Sequence, residues 1–201
     1  EVGGDYYDFF ENPDGSFYAI CGDATGHGLT AGNIVSITKS VLVSAPLDSP
    51  KDILIQLNKT LIKLKLGLNR MCVNMVKVVG NKMIFTSAGM PPAYHYIAKK
   101  KEMNEILIPG LPLGSLRNMI VNTTEITLNS GDVFVMMSDG FPEAPNPDGE
   151  LLSYETVEKC LLDNINNDVT TMQDELVRIT DEWLAGGDLP DDCTMVILKK
   201  T

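Results

Sequence analysis

The chain is predicted to adopt an α+β fold built on mainly antiparallel sheets. Three observations carry this. Apolar runs of strand length come in pairs joined by short turns bearing Gly or Pro. Two segments with helical spacing follow the first pair, and two more precede the last strand. The regular alternation of strand and helix that a doubly wound parallel sheet needs is missing from the 201 residues.

Residues 5–11 and 16–22 read as two strands across Asn12-Pro13-Asp14-Gly15, where Pro presets φ and Gly accepts a positive one. Apolar residues then recur at helical spacing over 31–44 and stop at Pro46. Ser49-Pro50 opens a second helix, Ser as cap and Pro in the first turn, with Ile53, Leu54, Leu57, Leu61, Ile62 and Leu64 as its stripe and Gly67 as its stop. Residues 71–79 and 82–88 form a hairpin across Gly80-Asn81, a two-residue signal for a tight turn. Short strands are expected at 93–97 and 104–108, with the lysines at 99–101 as a solvated tip. Residues 120–128 and 132–138 read as paired strands across Ser130-Gly131. Ser153 caps a helix over 154–163, Thr171 with Asp174 resembles a capping box for a helix reaching Leu184, and a last strand runs over 193–199.

Composition bounds the function. A hydrophobic share of 44% supports one substantial core and a single domain over 1–201. The net charge of -11 leaves no basic stripe for nucleic acid or an anionic membrane. Cys21, Cys72, Cys160 and Cys193 lack CysXXCys spacing and read as small buried hydrophobes of a reducing compartment, so a cytoplasmic location is expected. No apolar run approaches the roughly 18 residues of a membrane span, and no signal peptide opens the chain. Because the sequence begins on a motif at Glu1, without Met, a longer protein is expected.

The most informative residues are acidic. Asp5, Asp23, Asp139 and the pair Asp191-Asp192 each adjoin an apolar run of strand character, so distant parts of the chain deliver carboxylates to one rim. Ionised carboxylates brought together repel unless a cation neutralises them, which makes such a cluster a divalent-metal site. An all-oxygen ligand set favours magnesium or manganese over zinc. Asp8, Asp132, Asp148, Asp163, Asp168, Asp174 and Asp181 are read as turns, caps or solvated faces. Glu143 reads equally as a surface residue or as a support for Asp139. Trp183 is assigned to the core and His95 to a surface or half-buried strand position. Gly26 and Gly28 are assigned to a tight strand-to-helix bend rather than to a phosphate cradle.

With these stations in view the chain resembles the PPM (type 2C) family of metal-dependent serine/threonine phosphatases, in the bacterial branch of sporulation and stress-response regulators. The marks, in order, are Val2-Gly3-Gly4-Asp5-Tyr6-Tyr7-Asp8, Gly22-Asp23-Ala24-Thr25-Gly26-His27-Gly28, Ser87-Ala88-Gly89-Met90-Pro91-Pro92, Leu111-Pro112-Leu113-Gly114, Ser138-Asp139-Gly140-Phe141 with Glu143-Ala144, and Asp191-Asp192-Cys193-Thr194. Met90 departs from the pattern, since a His is common there. The resemblance implies a four-layer α/β/β/α sandwich with two Mn2+ or Mg2+ ions at one edge of its two sheets. It implies that Asp23 bridges both ions, that the Ala24 backbone carbonyl binds one, that Asp139 and Asp191 (with Asp192 as the alternative) complete the other, and that Asp5 acts partly through water. The implied reaction is hydrolysis of a phosphoserine or phosphothreonine ester by a hydroxide between cations about 3.5 to 4 Å apart, without a phosphoenzyme.

His27 is a candidate for the acid that protonates the leaving oxygen. The comparable His of better-known relatives lies two residues after the bridging Asp rather than four, and the other reading is that His27 orients the start of the next helix. The implied partner is a small phosphorylated protein of the anti-sigma-factor antagonist kind. Two other functions are weighed. A noncatalytic phosphoprotein-binding module of the same fold is opposed by the retained carboxylates. A nucleotide hydrolase is opposed by the lack of a Walker or dinucleotide fingerprint.

Overall fold

Strand pairing sets the architecture. In the computed structural model, which describes residues 3–44 and 49–201, nine strands and four helices follow one another as β1(Asp5–Glu11), β2(Phe17–Ala24), α1(Leu29–Ser44), α2(Pro50–Leu64), β3(Met71–Val79), β4(Lys82–Ala88), β5(Ala93–Ile97), β6(Glu102–Ile106), β7(Thr123–Thr127), β8(Val133–Met137), α3(Tyr154–Asp163), α4(Val169–Leu184) and β9(Met195–Lys199). The strands form two sheets, ordered β1-β2-β3-β4-β7 and β6-β5-β8-β9, and every pairing is antiparallel.

The side-chain period of two then builds four layers. Tyr18 and Ile20 of β2, with Val73 and Met75 of β3, face α1 and α2 and pack against Ile34, Leu42, Leu54 and Leu57. The alternate residues Ala19, Cys21, Val76 and Val78 face the second sheet and meet Phe134, Met136 and Val196. Val133, Val135 and Met137 point the other way, onto Val157, Leu161, Met172 and Leu176 of α3 and α4. All five residues of β8 are buried because both faces of this strand are covered. Phe85 and Phe134 meet edge to face between the sheets, ring centroids 5.3 Å apart. The α/β/β/α sandwich implied by the resemblance is therefore the observed fold. Among the described residues no helix is long and apolar enough to cross a membrane.

Local signals place the elements well. The Val79↔Lys82 register closes the hairpin on Gly80-Asn81, and Ser49 and Ser153 accept the N–H groups of Asp52 and Thr156 as caps. The proposed stop at Pro46 lies outside the described residues. Gly26 and Gly28 both hold positive φ, as a bend needs.

Five readings are corrected. β7 and β8 are not partners: β7 joins β4 in the first sheet and β8 joins β5 and β9 in the second. The turn between them carries the chain across the layers. There the buried Asp132 accepts N–H groups from Ala98 and Asn129. α2 ends at Lys65 in the left-handed region (φ 53), two residues before Gly67. α4 is capped by Asp168, which accepts the Thr171 N–H, and not by Thr171. His95 is buried, 7% exposed, with Nε2 3.8 Å from Asp132 Oδ2. Asp8 is more than a solvated face: it accepts the Tyr6 hydroxyl at 2.5 Å and pairs with Lys39, tethering β1 to α1. Two further side chains take packed positions. Met90 packs in the core between the sheets. Trp183 packs at the rim of the α3/α4 core and donates its indole N–H to the Glu150 carbonyl.

Phe134→Ala is expected to cost about 3–5 kcal/mol, the range for emptying a packed aromatic site, measured as a fall in the urea midpoint with an unchanged slope.

Candidate metal centre

The site grows from one register. Asp5 and Asp23 stand directly opposite each other on β1 and β2, which puts their Cβ atoms about 5 Å apart on the same face. That face is the one Ala19 and Cys21 turn towards the second sheet. Asp139 follows β8 and the pair Asp191-Asp192 precedes β9, and these two strands are neighbours. Both sheets thus end in carboxylates at a common rim. A cleft of about 660 Å³ opens there, and Asp23, His27, Asp191, Asp192 and Cys193 are among its lining residues.

Backbone hydrogen bonds hold the rim together. Gly4 N–H donates to Asp192 Oδ2 at 2.8 Å, and Ala24 N–H donates to the Gly4 carbonyl at 2.9 Å. Asp192 N–H donates in turn to Asp191 Oδ1 at 2.8 Å. Two glycines allow the close approach. A Cβ on Gly4 would sit 2.6 Å from the Ala24 carbonyl oxygen, and one on Gly140 only 2.1 Å from the backbone oxygen of Asp192.

Ser138 is the residue that sequence reasoning missed. Only 1% exposed, it donates its hydroxyl to Asp5 Oδ2 at 2.8 Å and accepts the Thr194 N–H at 2.9 Å. It fixes Asp5 of the first sheet to β8 and the approach to β9 in the second. The available signal was a polar side chain closing an otherwise apolar strand, in phase with Phe134 and Met136.

Electrostatics confirms that the carboxylates feel one another. Burial, and then the charges of Asp5, Asp139, Asp191 and Asp192, push Asp23 up to about 7. Asp5 is raised to about 6, chiefly by burial and further by Asp192 and Asp191, while hydrogen bonds from Thr194 and Ser138 work in the opposite direction. Among the described residues no lysine or arginine pairs with any of the five carboxylates. Nor does the rim, with its side chains as they lie, bring three His, Cys, Asp or Glu groups into one ion-gripping set among those residues. The chemistry of the donors nonetheless fits a hard divalent cation, because carboxylate and carbonyl oxygens dominate it. The nearby thiols stay protonated. Burial, reinforced by Asp23 and Asp139, pushes Cys72 up to about 12, and burial with Asp5 and Asp191 does the same for Cys193.

His27 is exposed in the bend between β2 and α1 and lines the cleft with Asp23. Glu143 is exposed and touches Asp139 through the backbone, its N–H donating to the Asp139 carbonyl.

Two antiparallel sheets between helix pairs, with acidic residues at one rim, define the PP2C-type fold. The PP2C domain of SiaA from Pseudomonas aeruginosa superposes with a TM-score of 0.87 at 19% identity, covering 100% of this chain and 82% of that one. RsbX, solved in complex with magnesium, matches with a TM-score of 0.70 at 14% identity, over 98% of this chain and 87% of its own. The chain belongs to the Stage II sporulation protein E (SpoIIE) family, whose profile matches residues 13–201. It is also 24% identical over 208 aligned positions to the phosphoserine phosphatase RsbU of Bacillus subtilis (strain 168), and spans 100% of its own length but 60% of RsbU.

The raised carboxyls predict a pH response. Asp5 and Asp23 shed protons near 3.8 when unfolded but near 6 and 7 when folded, so between these values the folded state holds more protons and stability falls as pH rises. In a chelator, the urea midpoint is expected to fall from about pH 4 to pH 7. Manganese should flatten that slope.

Proposed function

We propose that the chain is a manganese- or magnesium-dependent protein phosphatase acting on phosphoserine or phosphothreonine. The observation that carries this reading is the convergence of Asp5, Asp23, Asp139, Asp191 and Asp192 on one rim of a SpoIIE-family fold. The likeness to the phosphoserine phosphatase RsbU supports the same chemistry.

In this reading Asp23, with the Ala24 carbonyl, Asp139 and Asp191, would hold two divalent ions. Asp5 and Asp192 contribute from the N-terminal and C-terminal sides. Each of the pair already accepts one backbone N–H, Asp192 from Gly4 and Asp191 from Asp192, so Asp192 stays the alternative to Asp191. Bound there, the ions supply a water activated near neutral pH and positive charge against phosphoryl oxygens. The chain's own residues do the rest. Ser138 keeps Asp5 aligned, the glycines let three backbone segments close up, and the cleft admits an anionic ester to an otherwise acidic surface. His27, at the mouth of that cleft, hands its proton to the departing seryl oxygen.

The substrate is a phosphorylated partner protein of the anti-sigma-factor antagonist kind, and the chain is the single catalytic domain of a cytoplasmic signalling protein with a sensor upstream. The noncatalytic alternative gains no specific observation.

With manganese and an aryl phosphate, Asp139→Asn is expected to lose at least about a hundredfold in kcat/KM. Absence of turnover by the unaltered chain, with either metal, would favour the binding module. His27→Gln is expected to lower kcat about a hundredfold on a phosphoserine peptide and less on the aryl phosphate, whose leaving group needs no proton. Equal losses on both would remove the acid role.

A further inference from the structure

A second site lies on the first sheet's helical side. The chain carries 27 acidic residues against 16 basic ones, yet one pocket of about 390 Å³ is lined by Lys65, Arg70 and Arg117 and by no carboxylate at all. Among the described residues none of the three cations forms an ion pair. Three unneutralised positive charges around one concavity, in a protein of net charge -11, make a local field opposite in sign to that of the molecule.

The pocket is built, not incidental. Asn58, 2% exposed on α2, clamps the loop that carries Arg117: its Oδ1 accepts the Gly114 N–H at 2.8 Å and its Nδ2 donates to the Leu116 carbonyl at 2.9 Å. Met71 and Leu113 exchange both backbone hydrogen bonds, which ties the same loop to the start of β3. Gly114 lacks the Cβ that would stand 3.4 Å from Arg70 Cδ. Arg70 spends Nη1 on the Gly67 and Asn69 carbonyls, leaving its remaining donors directed elsewhere than at any acid. Lys65 holds a left-handed backbone (φ 53) that glycine would adopt without strain. Compensation of the helix dipole does not require it, because Lys63 already sits in the last turn of α2.

The pocket also adjoins the carboxylate rim. The Arg70 carbonyl accepts the Thr25 N–H at 3.0 Å, and Met71 pairs with Ala24, next to Asp23. This backbone adjacency joins the cleft at Asp23 to the segment that carries Arg70.

We propose that Lys65, Arg70 and Arg117 form a subsite that binds the acidic flank of the phosphoprotein substrate. The proposal rests on the phosphatase reading and adds a sequence preference to it. The arrangement lets a protein of net charge -11 select an acidic partner, since the three cations offset the general repulsion where the flank lies.

The test is fluorescence anisotropy in magnesium with a labelled peptide bearing the non-hydrolysable phosphonate analogue of phosphoserine, flanked by aspartates or by alanines. The unaltered chain is expected to bind the aspartate peptide about tenfold more tightly, with the preference shrinking as salt is raised. Arg117→Glu and Lys65→Glu, both at exposed positions, should abolish the preference, and Arg117→Lys should keep it. Equal binding of both peptides by the unaltered chain, or a preference surviving in the two Glu variants, would overturn the subsite. Competition by inorganic phosphate as effective as that by the aspartate peptide would overturn the peptide assignment in favour of a free anion. Because binding is read, a chain that prefers acidic flanks without hydrolysing an aryl phosphate would sink the phosphatase reading and leave the subsite standing.

Discussion

Like charges forced together by backbone geometry are the constraint on which the rest of this molecule turns. The Asp5↔Asp23 register is fixed by a seven-residue strand paired along its whole length, so neither carboxylate escapes the other without breaking the sheet. Two like charges about 5 Å apart repel by a few kcal/mol at an effective dielectric of about 20, which sets the scale for carboxylates borne on opposed Cβ atoms. A charge-assisted hydrogen bond returns about 1.5–3 kcal/mol. Ser138 on Asp5 and Gly4 on Asp192 thus offset part of the repulsion at two of the stations. Asp23 accepts no hydrogen bond among the described residues and is pushed up further than Asp5. It is the position where a divalent cation has most to offer.

Much of the fold was legible because its determinants are local. Gly80-Asn81 names a tight turn, Ser49 and Ser153 name helix starts, and each was found where the residues put it. The errors share a physical cause. Ser130-Gly131 announces that the chain reverses, but says nothing about which sheet the next strand joins, and β7 and β8 went to different ones. A glycine at 67 is a good helix terminator, yet α2 ends earlier because Lys65 itself turns left-handed and donates its N–H to the Ile62 carbonyl. His95 reads as a strand-surface residue until the sheets stack and cover it.

The centre was legible in a different way. Motifs named the acidic residues, and the structure brings Asp5, Asp23, Asp139, Asp191 and Asp192 within electrostatic reach of one another. The support was invisible, because Ser138 gains its meaning only when a strand of the other sheet delivers Asp5 to it. The same holds for the basic pocket. Lys65, Arg70 and Arg117 form no run in the sequence, and the clamp by Asn58 with the Met71–Leu113 pairing gathers them.

The contact between Gly4 and Asp192 spans 188 positions, and its consequence is temporal. During translation the hairpin of β1 and β2 and the helices beside it can pair as they leave the ribosome, but the rim stays open until β9 has emerged and docked against β8. A nascent chain stalled before that point presents two opposed aspartates with no counterpart from the far sheet. Competence to act therefore arrives late, and all at once, when the final strand of the second sheet locks into place.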